Sequence, residues 1–156
     1  MNVQVLVATM HRMENDYSLL DSLNLQSSAV VVNQCNIEGK KTFIYKGLSR
    51  SRNTALKNAT EDICIICDND ETLNDGYPKM VTDAYKALND VDVVVFNIDR
   101  IGWNEKERLF TKPEKVKKYK TYGSVHLTFK RESIRNCDID FNIDFGAGSG
   151  KYSSGE

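Results

Sequence analysis

Asp68 and Asp70 flank Asn69, with Glu71 next in line, directly behind the apolar run Ile63-Cys64-Ile65-Ile66-Cys67. Two carboxylates at that spacing repel each other unless a cation sits between them. A hard divalent ion that keeps some water and shares itself with phosphate oxygens suits such a pair. The apolar run is too short for a helix and lacks helical periodicity, so it reads as a strand buried on both faces. Open α/β sheets bind ligands at the carboxyl ends of their strands, where a turn can aim Asp68 and Asp70 at one point. Two readings stand: a metal–diphosphate site, or an Asp-Asn-Asp turn that caps the next helix, a place both residue types favour.

Gly47-Leu48-Ser49-Arg50-Ser51-Arg52-Asn53 puts two arginines at the start of a helix. Cations are unfavourable at that end, while free N–H groups and a planar guanidinium suit phosphate or a base edge. The alternative is a pair of solvated side chains on an exposed first turn. Lys112, Lys115, Lys117, Lys118 and Lys120, with Tyr119 and Tyr122 interleaved, can touch anionic lipid or a phosphorylated acceptor. A solvated loop is the preferred reading of that run. Gly146-Ala147-Gly148-Ser149-Gly150-Lys151 is not a phosphate-binding loop, which needs glycine where Phe145 stands and Ser or Thr where Tyr152 stands. His11 and His126 lie far apart in sequence and form no evident pair. Cys64 and Cys67 spell C-x-x-C inside an apolar strand, away from a helix N-terminus and from a second ligand pair, so they read as core thiols.

These residues need a scaffold. Val3 to Thr9 reads as a first strand and Glu14 to Leu23 as a short helix that Asp16 can cap, with Leu19, Leu20 and Leu23 on one side. Ala29 to Val32 is a second strand, ending in Asn33-Gln34, and Thr42 to Tyr45 a third. Ser49 or Ser51 can cap a helix through about Ala59, with Ala55, Leu56 and Ala59 inside. After the Asp-bearing strand, a helix from about Gly76 to Leu88 repeats Met80, Ala84 and Leu88, with Val81 and Tyr85 beside them and Pro78 in its first turn. Val93 to Phe96 is a further apolar strand, ending in Asn97 and Asp99. Trp103 to Tyr122 is polar and lysine-rich, and Val125 to Phe129 alternates like one more strand. Strands alternating with amphipathic helices specify an α/β domain with a mostly parallel sheet. Four strand ends, all polar, then gather on one edge.

The 156 residues fit one domain. Apolar content of 40% and charged content of 28% are those of a globular protein. The net charge of -1 argues against wholesale nucleic-acid binding. Four cysteines are too sparse for a disulfide framework. No apolar run is long enough to cross a bilayer, and Met1-Asn2-Val3-Gln4-Val5 is no signal peptide, so a cytoplasmic location is expected. Asn58-Ala59-Thr60, a formal glycosylation acceptor at a helix end, is discounted on that ground.

In order and spacing, the strand ending in Thr9, the strand ending in Asn33-Gln34, the Gly47…Arg52-Asn53 turn and Asp68-Asn69-Asp70 resemble the nucleotide-sugar glycosyltransferases of the GT-A fold. The resemblance is to the family-two type, in a polysaccharide-biosynthesis branch, over about residues 3–100. Phe145-Gly146…Ser154-Gly155-Glu156 resembles the family's acceptor-side loop leading to its acidic motif. The resemblance implies a single GT-A domain over 1–156, with a nucleotide-sugar half (1–100) and a partial acceptor-side half (101–156). It implies that Thr9 and His11 border the base and that Arg52 contacts base or ribose. Asn33 and Gln34 stand where the family usually carries an acidic residue that reads uracil. Asp68 would face ribose or metal, and Asp70 would hold Mn²⁺ or Mg²⁺ on the diphosphate. The implied reaction transfers a sugar, with inversion, from a nucleotide-sugar such as a UDP-sugar to a hydroxyl of a sugar or lipid-linked sugar.

Transfer needs a carboxylate to take the acceptor's proton. Glu156, the last residue, matches the first acidic position of the family's motif, whose second member is the usual base. The expectations are therefore a donor site that is present, poor or absent transfer by this chain, and a disordered tail from near Gly146. Asp138, Asp140 and Asp144 read as loop and turn residues. Three other classes compete. A phosphoacceptor receiver domain would carry an acidic pair after its first strand, where this chain has none. A nucleotidyltransferase would carry a glycine- and arginine-rich loop after the first strand, where this chain has Thr9-Met10-His11-Arg12. A nucleotide-binding fragment without turnover would show the same donor residues.

Overall fold

A computed structural model describes residues 1–10, 18–34, 42–44, 47–102, 110–149 and 151–152. Six strands, β1 (Val3–Thr9), β2 (Ser28–Asn33), β3 (Thr42–Ile44), β4 (Ile63–Asp68), β5 (Val93–Val95) and β6 (Leu127–Lys130), form one sheet in the order β3-β2-β1-β4-β6-β5. Four helices accompany them: α1 (Ser18–Asp21), α2 (Leu48–Asn58), α3 (Tyr77–Leu88) and α4 (Arg131–Asn136).

The centre is parallel because its strands are apolar on both faces and can only be covered by helices on both sides. β1 is buried along its whole length and pairs in parallel with β2 and β4. Alternation sends Val3, Val5, Val7, Ile63, Ile65 and Cys67 to one face, under Tyr77, Val81 and Tyr85 of α3 and beside Leu23. Leu6, Val30, Val32, Cys64 and Ile66 go to the other, under Ala55 of α2, with Ala59 and Phe129. Each fully buried isoleucine of β4 contributes about 1.5–3 kcal/mol relative to exposure. Cys64 and Cys67 therefore face opposite layers, which rules out a shared ligand.

The expected parallel order holds across β3-β2-β1-β4, but β6 is antiparallel to both β4 and β5. Its period-two pattern matches that placement: Phe129 enters the α2 layer, while the Thr128 hydroxyl meets Tyr85 Oη at 3.1 Å. β5, read as another buried strand, is the sheet edge, with Val93 43% exposed. Because β5 runs parallel to β4, the carboxyl ends of β1, β2, β4 and β5 do lie along one edge.

Several local expectations are corrected. The buried stripe of α3 is Tyr77, Val81 and Tyr85, and Met80 is 51% exposed. Tyrosine takes the inner row because its hydroxyls find partners: Tyr77 Oη lies 2.7 Å from Ser27 Oγ, and Tyr85 Oη reaches Thr128. The strand expected from Val125 begins at Leu127, after a 3₁₀ turn over Ser124–His126. The helix α4 had no clear signal in its polar sequence. Residues 14–17 of the expected first helix, Asp16 included, lie outside the described residues; Leu20 and Leu23 pack as expected.

Candidate functional site

Strand register assembles the edge. Thr9 is the partner of Asn33 and Ala8 is the partner of Asp68, so the ends of β2, β1 and β4 fall in one row. Thr9 and Asn33 are buried, at 4% and 2% exposure. The Gln34 amide donates to the Thr9 carbonyl at 2.8 Å, and Gln34 Oε1 accepts from the Gly47 amide at 3.2 Å, tying the end of β2 to the start of α2. Thr9 Oγ1 is buried with no hydrogen-bond partner among the described residues. Thr9, Asn33, Gln34, Arg52 and Asp68 thus lie along the same edge. His11 and Glu156 lie outside the described residues.

Alternation along β4 turns Asp68 toward the layer that holds α2, and α2 answers with a buried polar face. Ser49, Ser51, Arg52 and Asn53 are all buried, in addition to the expected Ala55. Arg52 Nη2 donates to Asp68 Oδ1 at 2.9 Å and to Oδ2 at 3.1 Å. The guanidinium also lies 5.7 Å from the centroid of the Phe141 ring. Arg50 is exposed, so of the two arginines only Arg52 belongs to the edge.

Asp70 is exposed in the turn after β4. Glu71, which follows at once, has no role in the sequence pattern beyond being acidic. Burial pushes its carboxyl up to about 7; a hydrogen bond with Cys67 pulls it back, and the nearby charges of Asp68 and Asp70 push it further up. Its signal was present, a third acidic residue in the same short stretch. No cluster of three or more His, Cys, Asp or Glu able to cage a metal occurs among the described residues. One open carboxylate, Asp70, beside Asp68 fits an ion that completes its shell with water and phosphate oxygens, as Mg²⁺ does.

The start of α2 is capped differently from expectation. Neither serine caps it: Ser51 Oγ donates back to the Gly47 carbonyl at 3.0 Å, and Ser49 Oγ donates to the Phe145 carbonyl at 2.8 Å. The Leu48 amide instead donates to the Ala147 carbonyl at 2.9 Å, so the first amide of the helix is satisfied by protein. Asn53 Nδ2 donates to the Phe141 carbonyl at 2.9 Å while its Oδ1 accepts from the Phe141 amide at 2.8 Å. The tail expected to lose order from Gly146 is held well past it. Phe145 stacks on Tyr152 with centroids 5.0 Å apart, and the Tyr152 amide donates to the Asp144 carbonyl at 3.0 Å. Asp144 also accepts from Lys151 Nζ at 2.8 Å, the loop role expected of it.

The whole lysine run is exposed, and Lys120 Nζ sits 4.4 Å from the Phe110 ring centroid and 5.1 Å from that of Tyr122. No helix among the described residues is long and apolar enough to cross a membrane.

Comparisons place this architecture. No curated protein matches the chain significantly in sequence. Among solved structures, S. aureus TarS residues 1–349 superposes with a TM-score of 0.67 at 17% identity, over 91% of this chain and 50% of that one. The same protein in complex with UDP-GlcNAc matches at 0.67 and 18%, over 91% and 49%, and its complex with UDP at 0.67 and 18%, over 91% and 50%. The chain therefore spans about half the length of these structures. At that identity the likeness shows the GT-A fold. The profile for "Glycosyl transferase family 2" matches residues 40–152, a span that holds α2, the Asp68–Asp70 turn and the segment packed on α2, and the chain belongs to that family.

Proposed function

We propose that this chain is the donor-binding part of a glycosyltransferase that uses a nucleotide-sugar, with uridine as the base. The observation that carries the reading is the single row of Thr9, Asn33 and Asp68 at the carboxyl edge, backed by Arg52 and flanked by exposed Asp70. The buried Thr9 hydroxyl has no protein partner among the described residues and suits a polar edge of the base. Family membership and the UDP and UDP-GlcNAc complexes of TarS support the donor class.

Asp70, with Asp68 beside it, would hold Mn²⁺ or Mg²⁺ against the diphosphate. When bound, such an ion supplies charge neutralisation for the departing nucleoside diphosphate. Arg52 orients Asp68 and adds positive potential at the same edge. The acceptor is a hydroxyl of a sugar or lipid-linked sugar, in polysaccharide synthesis at the cytoplasmic side, and the transfer inverts the anomeric centre. Glu156 as the acceptor's base, His11 at the base and a peripheral membrane contact through the lysine run all rest on the resemblance and on residue type.

Calorimetry with UDP, GDP, CDP and ADP, each with and without Mn²⁺, tests the proposal. UDP binding that strengthens at least tenfold with Mn²⁺ is the expected result. Equal affinity for all four nucleotides, or no binding of any, overturns the reading.

A further inference from the structure

We infer that Asn53 is a positioning residue: it couples the segment 141–149 to the donor edge through α2, so occupancy at that edge is transmitted to the acceptor side. The inference rests on the proposed function for the ligand at the donor edge and for calling that segment acceptor-side.

Ser49, Arg52 and Asn53 lie at i, i+3 and i+4, on one face of α2. Arg52 holds Asp68, and its two neighbours on the face hold the segment. Asn53 makes both hydrogen bonds that a neighbouring strand would offer Phe141, 2.9 Å to its carbonyl and 2.8 Å from its amide. Ser49 adds 2.8 Å to the Phe145 carbonyl, and the Leu48 amide adds 2.9 Å to that of Ala147. Phe141 is also the ring beneath the Arg52 guanidinium. One face of the same helical turn therefore grips both the donor edge and the segment. A shift of Arg52 and Asp68 on binding a ligand must move α2 or load these bonds. Asparagine is specific for the task, since only an amide offers a donor and an acceptor at that reach. Asn97 makes the same reciprocal pair with Phe110, at 2.9 and 3.0 Å, but on a segment away from α2, and so provides an internal control.

Amide hydrogen exchange of the chain, with and without UDP·Mn²⁺, tests the coupling in the parent, Asn53→Ala, Asn53→Asp and Asn97→Ala. Without nucleotide, the Phe141, Phe145 and Ser149 amides should exchange about tenfold faster in Asn53→Ala, the effect of one or two lost net hydrogen bonds. Asn53→Asp keeps the acceptor and the shape but loses the donor, and should fall between. It also decides the matter if Asn53→Ala fails to fold. Asn97→Ala should leave 141–149 unchanged. With UDP·Mn²⁺ at concentrations that saturate each protein by calorimetry, the parent should slow exchange in 141–149, and Asn53→Ala should lose that slowing. Parent-like exchange in both Asn53 variants, or protection by UDP that survives in Asn53→Ala, overturns the coupling. Absence of UDP binding in the parent counts against the proposed function and against transmission alike, while a segment loosened in the nucleotide-free arm still upholds the clamp.

Discussion

Arg52 donates from a single nitrogen to both carboxylate oxygens of Asp68, at 2.9 and 3.1 Å, from a side chain 4% exposed to one 28% exposed. The last residue of β4 is thereby oriented from the helix on its own side of the sheet. Arg52 is the fifth residue of α2, just past the first turn where the helix dipole disfavours a cation most, and an acidic strand end lies within its reach.

Removing that guanidinium should be costly. Breaking a buried pair costs about 3–5 kcal/mol, and the partial exposure of Asp68 reduces this to about 2 kcal/mol for Arg52→Met. Arg52→Lys should recover only part, because one compact ammonium cannot both meet Asp68 and keep a flat cation over the Phe141 ring. Urea unfolding measures both. A parent-like midpoint for Arg52→Met would show that the pair is not structural.

Asp70 should behave in the opposite way. It is exposed in a turn, so Asp70→Ala should change stability by no more than about 0.5 kcal/mol. The same variant should lose the Mn²⁺-dependent gain in UDP affinity, and EDTA should bring the parent to the same weak level. Should Asp70→Ala bind UDP with the parent's Mn²⁺ dependence, the metal assignment falls.

How much of this was legible depended on whether a residue's neighbours lie close along the chain. The β1, β2 and β4 strands were readable because apolar runs buried on both faces leave few other solutions, and their ends fixed Thr9, Asn33 and Asp68 in one row. The polar inner face of α2 was not readable from helical periodicity, which looks for apolar residues. Asn53 and Ser49 are buried against Phe141 and Phe145, nearly a hundred positions away. The antiparallel β6 was hidden for the same reason, since strand order is a tertiary property. Glu71 was overlooked because its environment, including the Cys67 thiol, exists only once β4 is packed.

The thiols give a labelling test with a built-in contrast. Burial pushes the Cys64 thiol up to about 12 and raises Cys67 further, whereas Cys137 is exposed. Only thiolate alkylates readily, so raising the pH from 7 to 9 should not bring Cys64 or Cys67 into reaction. Iodoacetamide with peptide mass mapping should show Cys137 modified at once, and the pair only at the rate of unfolding. Prompt native-state modification of Cys64 and Cys67 would contradict their place in the central strand.

Two glycines separate degrees of backbone strain. Gly47 has φ +106° and Gly76 φ +74°, both in the region that favours glycine. A Cβ on Gly76 meets nothing within 4 Å, and its ψ of 12° is left-handed helical, so Gly76→Ala should cost only the local preference, about 1 kcal/mol. Gly47 lies outside that helical well, with ψ 132°, and a Cβ there stands 3.4 Å from the Gly148 carbonyl oxygen. That carbonyl belongs to the segment whose Ala147 caps α2. Gly47→Ala should therefore cost about 2–3 kcal/mol by urea unfolding, from backbone strain alone, because a Cβ at 3.4 Å makes an ordinary contact with that carbonyl. Equal losses at the two sites would mean that the Gly47 conformation carries no strain beyond the left-handed preference measured at Gly76.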